Sequence, residues 1–322
     1  MGWQMMLLSH DILRLLGRSI SYMSLPVILD TDIGFDVDDV WALAFMLKCP
    51  ELDVKLITTN TGDTEYSAAL VGKLLDVAGR TDIPIGIGLP IDTVGRTHSA
   101  WLGGYRHTDY RGKIHMDGVG AIVETIKASK DPVTVICIGP LSNIAAALIR
   151  APEITEKSRF IGMHGSVRKG YNGIDRPMKE YNVLKHTAAC QKVFSTPWDV
   201  SITPLDTCGI VCLRDENFEI FKSSGNPLAQ AVMENHVGWI EAVRHWKGME
   251  NFDAQEKSSV LFDTVSVYMA FSEDLLEMET LPIKVTDEGM TIVDDSGQKM
   301  RCAMNWKDLA AFESMVAQRL SE

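Results

Sequence analysis

Short, continuously apolar runs alternate with stretches of helical periodicity from residue 26 to about 205. The runs at 27–29, 54–58, 83–87, 133–138, 160–163 and 200–203 predict strands. The stretches near 40–48, 65–79, 119–129, 142–150 and 186–195 predict helices. VILD and VTVICIG show no polar alternation, as expected of strands buried on both faces. Strand and helix taking turns in this way build a parallel sheet covered by helices. The expected fold is α/β: an open, mostly parallel Rossmann-like sheet with helices on both faces and a helical C-terminal part. That part is expected to hold helices over 226–247, 263–271 and 306–320, the last capped by Asn305, with a hairpin around Asp287-Glu288-Gly289.

Two long connections, 88–117 and 164–185, break the rhythm and are rich in Gly, Tyr, His, Arg and Asn. Connections of this length inside a domain are usually functional. With no internal repeat and no low-complexity linker, residues 25–322 are expected to form a single domain. Residues 1–24 place Ile12, Leu13, Leu15 and Leu16 at helical spacing, with Arg14 and Arg18 late. A secretory signal would put its basic residues first. The segment is read as an N-terminal extension forming an accessory helix, with Met23 an alternative first residue.

Of 322 residues, 46% are hydrophobic and 23% charged, enough for a real core. The net charge of −12 argues against tracking nucleic-acid phosphates or docking on an anionic membrane. No apolar run reaches the roughly 20 residues of a spanning helix. Six cysteines without a CxxC pair fit reduced thiols in a cytoplasmic protein.

The chemistry concentrates in DTDIGFDVDD, which holds Asp30, Asp32, Asp36, Asp38 and Asp39. Carboxylates about 6 Å apart repel by roughly 2–3 kcal/mol per pair at an effective dielectric of 20. Asp30 and Asp32 sit just past a strand, where open parallel sheets bind ligands. Asp38 and Asp39 open the next helix, whose free N–H groups favour negative charge. An oxygen-only cluster calls for a hard divalent cation, calcium or magnesium rather than zinc. An EF-hand loop would need glycine and glutamate where Phe35 and Trp41 stand. A phosphatase of the haloacid-dehalogenase type expects Thr or Val at Gly34, and the GxGxxG of a dinucleotide site is absent.

DTDIGFDVDD followed by an apolar helix resembles the opening motif of the nucleoside hydrolases of the inosine-uridine-preferring type, in the variant with two extra residues before the paired aspartates. The resemblance continues in order through TTNTGDT (58–64), IHMDGVG (114–120), ICIGPLSNIA (136–145), IGMHG (161–165), KEYN (179–182) and LFDTVSV (261–267). It implies calcium-dependent hydrolysis of the N-glycosidic bond of ribonucleosides to ribose and free base. The implied calcium ligands are Asp32, Asp39, Asp263 and the carbonyl of Ile138. Asp32 is also the implied general base on a metal-bound water. Asp38 would hold the 2′-hydroxyl, and Glu180 and Asn182 the 3′- and 5′-hydroxyls, joined by Asn172. Met163 would line the ribose pocket, and Asp63, where many relatives carry asparagine, would reach the 2′/3′ hydroxyls or support the residues that do. The resemblance further implies a homodimer or homotetramer.

Phe262 departs from the pattern, because relatives of pyrimidine or mixed preference carry there a histidine that protonates the base. The base must then leave by stacking on Phe262, Trp246, Trp239 or Trp101, or with an acid among His115, His236, His245 and His107. His115 matches a loop histidine of the family and is the candidate. Two other readings stay open: a magnesium-dependent phosphohydrolase, and a non-catalytic nucleoside- or sugar-binding relative.

Overall fold

The computed structural model describes residues 24–322, so the helix expected before them lies outside the described residues. Among the described residues ten strands share one sheet: β1 (Leu25–Thr31), β2 (Leu52–Thr59), β3 (Ile85–Ile87), β4 (Ile114–His115), β5 (Val133–Cys137), β6 (Ser158–Met163), β7 (Val200–Thr203), β8 (Leu276–Val285), β9 (Thr291–Val293) and β10 (Gln298–Trp306). Their spatial order is β4-β3-β2-β1-β5-β6-β7-β10-β8-β9. All neighbours from β4 to β10 run parallel, and β8 is antiparallel to both β10 and β9.

The chain steps from β1 outward to β4, then returns to lay β5 on the other side of β1. This reversal makes the carboxyl ends of β1 and β5 the switch point of the sheet, where connections diverge and leave a crevice. Along β1 the apolar side chains serve opposite faces in turn. Val27 and Leu29 pack with the helices Asp38–Leu47, Thr64–Val77, Pro227–Val243 and Leu309–Ser321. Ile28 packs with Gly118–Ala128, Ser142–Arg150 and Thr187–Phe194. A strand with two buried faces has no place for a polar alternation, which is why VILD reads as an unbroken apolar run.

The C-terminal part holds more strand than the mainly helical expectation. The hairpin turn at Asp287-Glu288-Gly289 joins β8 to β9, and β10 then returns to extend the sheet beside β7. Asn305 lies inside β10, and the last helix is capped instead by Asp308, which accepts from the Ala311 amide at 2.9 Å. Among the described residues no helix is long and apolar enough to cross a membrane. All six cysteines are buried and outside any disulfide.

Candidate active site

The acid-rich loop bridges the end of β1 and the helix Asp38–Leu47. Gly34 turns it with a φ of +128°, a value L side chains rarely adopt. The long connection after β3 pins it from outside: Thr97 Oγ1 donates to the Phe35 carbonyl at 2.7 Å, and a ring nitrogen of His98 bonds the Asp36 carbonyl at 2.9 Å. Trp239 Nε1 donates to the same Phe35 carbonyl at 2.9 Å. These bonds keep the aspartates from spreading into water.

Asp30 is committed to the scaffold. Its carboxylate accepts from Thr58 Oγ1 at 2.5 Å, Asn60 Nδ2 at 2.8 Å and Asn143 Nδ2 at 2.8 Å. Asn143 also donates to the Thr59 carbonyl and accepts from the Leu89 amide, tying three strand ends together. Complete burial pushes the Asp30 carboxyl up to about 6 despite these donors.

The remaining acids face one cavity of about 190 Å³ at the switch point. Asp32, Asp36, Asp38, Asp39, Glu180 and Asp263 all line it. Carboxylate oxygens of Asp38, Asp39 and Asp263 lie within 4.8 Å of one another, all three buried. Asp32 lines the same cavity outside that group of three. Asp38 and Asp39 occupy the first turn of their helix, and Asp39 accepts from Thr31 Oγ1. Burial, then repulsion from neighbouring carboxylates, drives Asp32, Asp38 and Asp263 well above the carboxylate range. Burial lifts Asp39 to about 7 and Asp36 to about 6. No lysine or arginine of the described residues lines the cavity. An unpaired buried charge costs several kcal/mol, so this cluster is stable only when protonated or when it holds a cation. Its all-oxygen donor set fits a hard metal ion.

The far wall comes from the connection after β6. Glu180 caps the short helix Tyr181–Lys185, accepting from the amides of Asn182 at 2.6 Å, Val183 at 3.1 Å and Gly165 at 3.0 Å. Burial holds it up to about 7 even so. Asn182 Nδ2 donates to the carbonyls of Ile138 and Met163, both at 3.0 Å. A carbonyl oxygen carries two lone pairs, so Ile138, on the cavity just past β5, keeps one for a ligand. Met163 and Phe262 also line the cavity.

Three residues expected at the site stand elsewhere. His115 belongs to β4 at the sheet edge, three strands from β1, and does not line the cavity. His107 lines a separate groove, His236 is buried against Trp41, and His245 is exposed. Thus no histidine of the described residues faces the cavity. Asp63 caps the helix Thr64–Val77 through the Tyr66 amide and pairs with Arg96 in that separate groove, its oxygens used locally. Asn172 lines a second cavity adjoining the first.

Phe35, Asp36, Tyr171 and Tyr181 line the cavity without having been assigned roles from sequence. Phe35 stacks on Tyr181 with centroids 5.8 Å apart, and Tyr171 meets Phe262 edge-on at 5.8 Å. Each is adjacent in sequence to a residue that was singled out or lies within the acid-rich loop, and that adjacency was the available signal.

A crevice of buried carboxylates and amides at the switch point of a parallel sheet defines an α/β protein equipped to bind a hydroxyl-rich ligand around a cation. Residues 27–316 match the family model described as inosine-uridine preferring nucleoside hydrolase, and the chain belongs to that family. The pyrimidine-specific ribonucleoside hydrolase RihA of Escherichia coli O1:K1 is 30% identical over 230 residues, 66% of this chain and 70% of that protein. A plant nucleoside hydrolase, PpNRh1, superposes with a TM-score of 0.77 at 21% identity, covering 92% of this chain and 99% of its own. A purine-preferring ribonucleoside hydrolase from Gardnerella vaginalis superposes with a TM-score of 0.73 at 23% identity, covering 92% and 98%. This membership removes the phosphohydrolase reading.

Proposed function

We propose that the chain hydrolyses the N-glycosidic bond of ribonucleosides to ribose and free base, with calcium as its cation. One observation carries the reading: Asp38 and Asp39 meet the distant Asp263 on a cavity that also holds Asp32, Glu180 and Asn182. Calcium held by Asp32, Asp39, Asp263 and the Ile138 carbonyl would supply the positive charge that offsets these acids and anchors a sugar diol and a water.

Asp32 takes a proton from the attacking water, which adds to C1′ as the bond to the base nitrogen breaks. Asp38 accepts from the 2′-hydroxyl. Glu180 and Asn182, the latter with its amide hydrogens already committed, accept from the 3′- and 5′-hydroxyls. Positive charge develops on the sugar in an oxocarbenium-like transition state, and an anionic pocket favours it over the neutral substrate. The base departs against the aromatic wall of Phe262, Tyr171, Phe35 and Tyr181. Residues 25–322 act as one domain, assembled as a homodimer or homotetramer in the cytoplasm; light scattering tests the assembly.

The test is incubation with inosine, uridine, cytidine and adenosine, with and without a chelator. Free base and reducing sugar are expected in equal amounts, and the chelator abolishes both. Tight binding without turnover overturns the hydrolytic reading and favours a nucleoside-binding relative.

A further inference from the structure

A second cavity of about 640 Å³ opens beside the first, the two sharing Asp36 and Phe262. That volume falls in the range of roughly 300–1,000 Å³ that encloses drug-sized ligands, so it exceeds what a bare nucleobase requires. Trp239, Trp246 and Phe252 supply an aromatic wall. Ser259, only 8% exposed, lines it with an Oγ that has no hydrogen-bond partner. A buried hydroxyl left unpaired is destabilising, and a ligand acceptor would relieve it.

Three exposed cations, Arg214, Lys247 and Lys257, surround this cavity. None of them takes part in the ion pairs formed among the described residues. In a chain of net charge −12, these three cations gather around one cavity, Lys257 also lying 5.0 Å from the Phe252 ring centre. Two acids of the same loop bond local amides and stay off the lining: Glu250 accepts from the Gly248 amide and Asp253 from the Gln255 amide, both at 2.8 Å. Among the described residues Asp36 is the sole carboxylate on the lining.

We propose that this second cavity receives an anionic substituent, phosphate or carboxylate, carried by the nucleoside whose sugar occupies the first. In a β-nucleoside the base and the 5′ carbon project from the same face of the ring, so an anion on either reaches past Phe262 while the diol stays among the aspartates. The reaction is the same addition of water across the C1′–N bond. A guanidinium recognises both anions through paired donors. The inference rests on the ribonucleoside-hydrolase reading.

The experiment compares kcat/KM for uridine, orotidine (a carboxylate on the base) and uridine 5′-monophosphate (a phosphate on the 5′ carbon). It uses the full chain with calcium at low and high salt. One anionic compound is expected to exceed uridine by about tenfold at low salt, with the advantage shrinking as salt screens the cations. Orotidine preference assigns the anion to the base, and monophosphate preference assigns it to the sugar. The combined variant Arg214→Gln, Lys247→Gln, Lys257→Gln brings the ratio to about one. The exposed Arg244→Gln, removed from Glu241, leaves the ratio where it was. A ratio at or below one for both anions, or a ratio that survives the triple variant, overturns the inference while uridine cleavage continues. If both derivatives go uncut while inosine or uridine is hydrolysed, this inference fails and the hydrolase reading stands; if inosine, uridine and both derivatives all go uncut, the hydrolase reading fails and this inference with it.

Discussion

Gly139 stands so close to Asp32 that a β-carbon on it would lie 2.7 Å from Asp32 Oδ1. A side chain there must displace the carboxylate. Gly139→Ala is expected to lower kcat/KM by about 10²-fold, the usual effect of a misplacement near 1 Å, while the far-ultraviolet circular dichroism stays that of the wild type. Unchanged kinetics would mean that the position of Asp32 does not matter.

Asp32→Asn keeps the size and one oxygen but removes the base. The expected loss in kcat is about 10²–10⁴-fold. Asp263→Ala breaks the group of three acids instead, so calcium binding measured by calorimetry should vanish together with turnover. Wild-type kcat in either variant removes that residue from the mechanism.

Protonation links the site to stability. Asp30 and Asp36 are raised to about 6, and Asp39 and Glu180 to about 7, from ordinary values of 3.8 and 4.5. The folded chain therefore holds protons that the unfolded chain has released. This contribution is complete below about pH 4 and is lost as pH rises through about 6–7. In chelator, Tm is expected to fall between about pH 5 and pH 8. A cation favours the charged acids, so calcium should raise Tm more at the upper end of that range. A Tm in chelator that climbs with pH contradicts the assignment.

Phe262 lines both cavities and offers no proton to a leaving group. Phe262→Ala is expected to slow inosine hydrolysis by roughly 2- to 10-fold, given stacking worth about 0.5–1.5 kcal/mol beyond burial. p-Nitrophenyl riboside, whose leaving group departs as a stable anion, should be affected less. Equal losses on both substrates would assign Phe262 to sugar binding instead of leaving-group departure.

Asn143 supplies Asp30 with one of its donors and also holds the ends of β2 and the Leu89 turn. Asn143→Ala leaves a buried carboxylate short of a partner, a cost of about 1–3 kcal/mol. Thermal or urea denaturation reads this directly. Activity should fall less than stability, because Asn143 does not line the cavity.

Most of the parallel core was legible because its strands are buried on both faces and its helices follow directly. β10 was not, since its pattern of exposure, with Arg301 out and Met300 and Cys302 in, is that of a strand shielded unevenly near the sheet's antiparallel edge. In the site, the acids of residues 30–39 declared themselves by crowding. His115 and Asp63 sat in motifs that matched, yet an edge strand and a helix cap took them elsewhere. The reason is that a motif reports neighbours along the chain, whereas a pocket collects neighbours across it.

By itself the sequence determined that five aspartates would crowd between a buried strand and a buried helix, since apolar flanks leave such acids no route into solvent. Asp263, 224 positions beyond Asp39, entered the sequence reading only through the family resemblance; the tertiary structure is what brings it to the cluster, with Asn182 holding the Ile138 carbonyl and an aromatic wall on the same cavity. Those meetings follow from the order in which parallel strands add to either side of β1, and no local pattern of residues encodes that order.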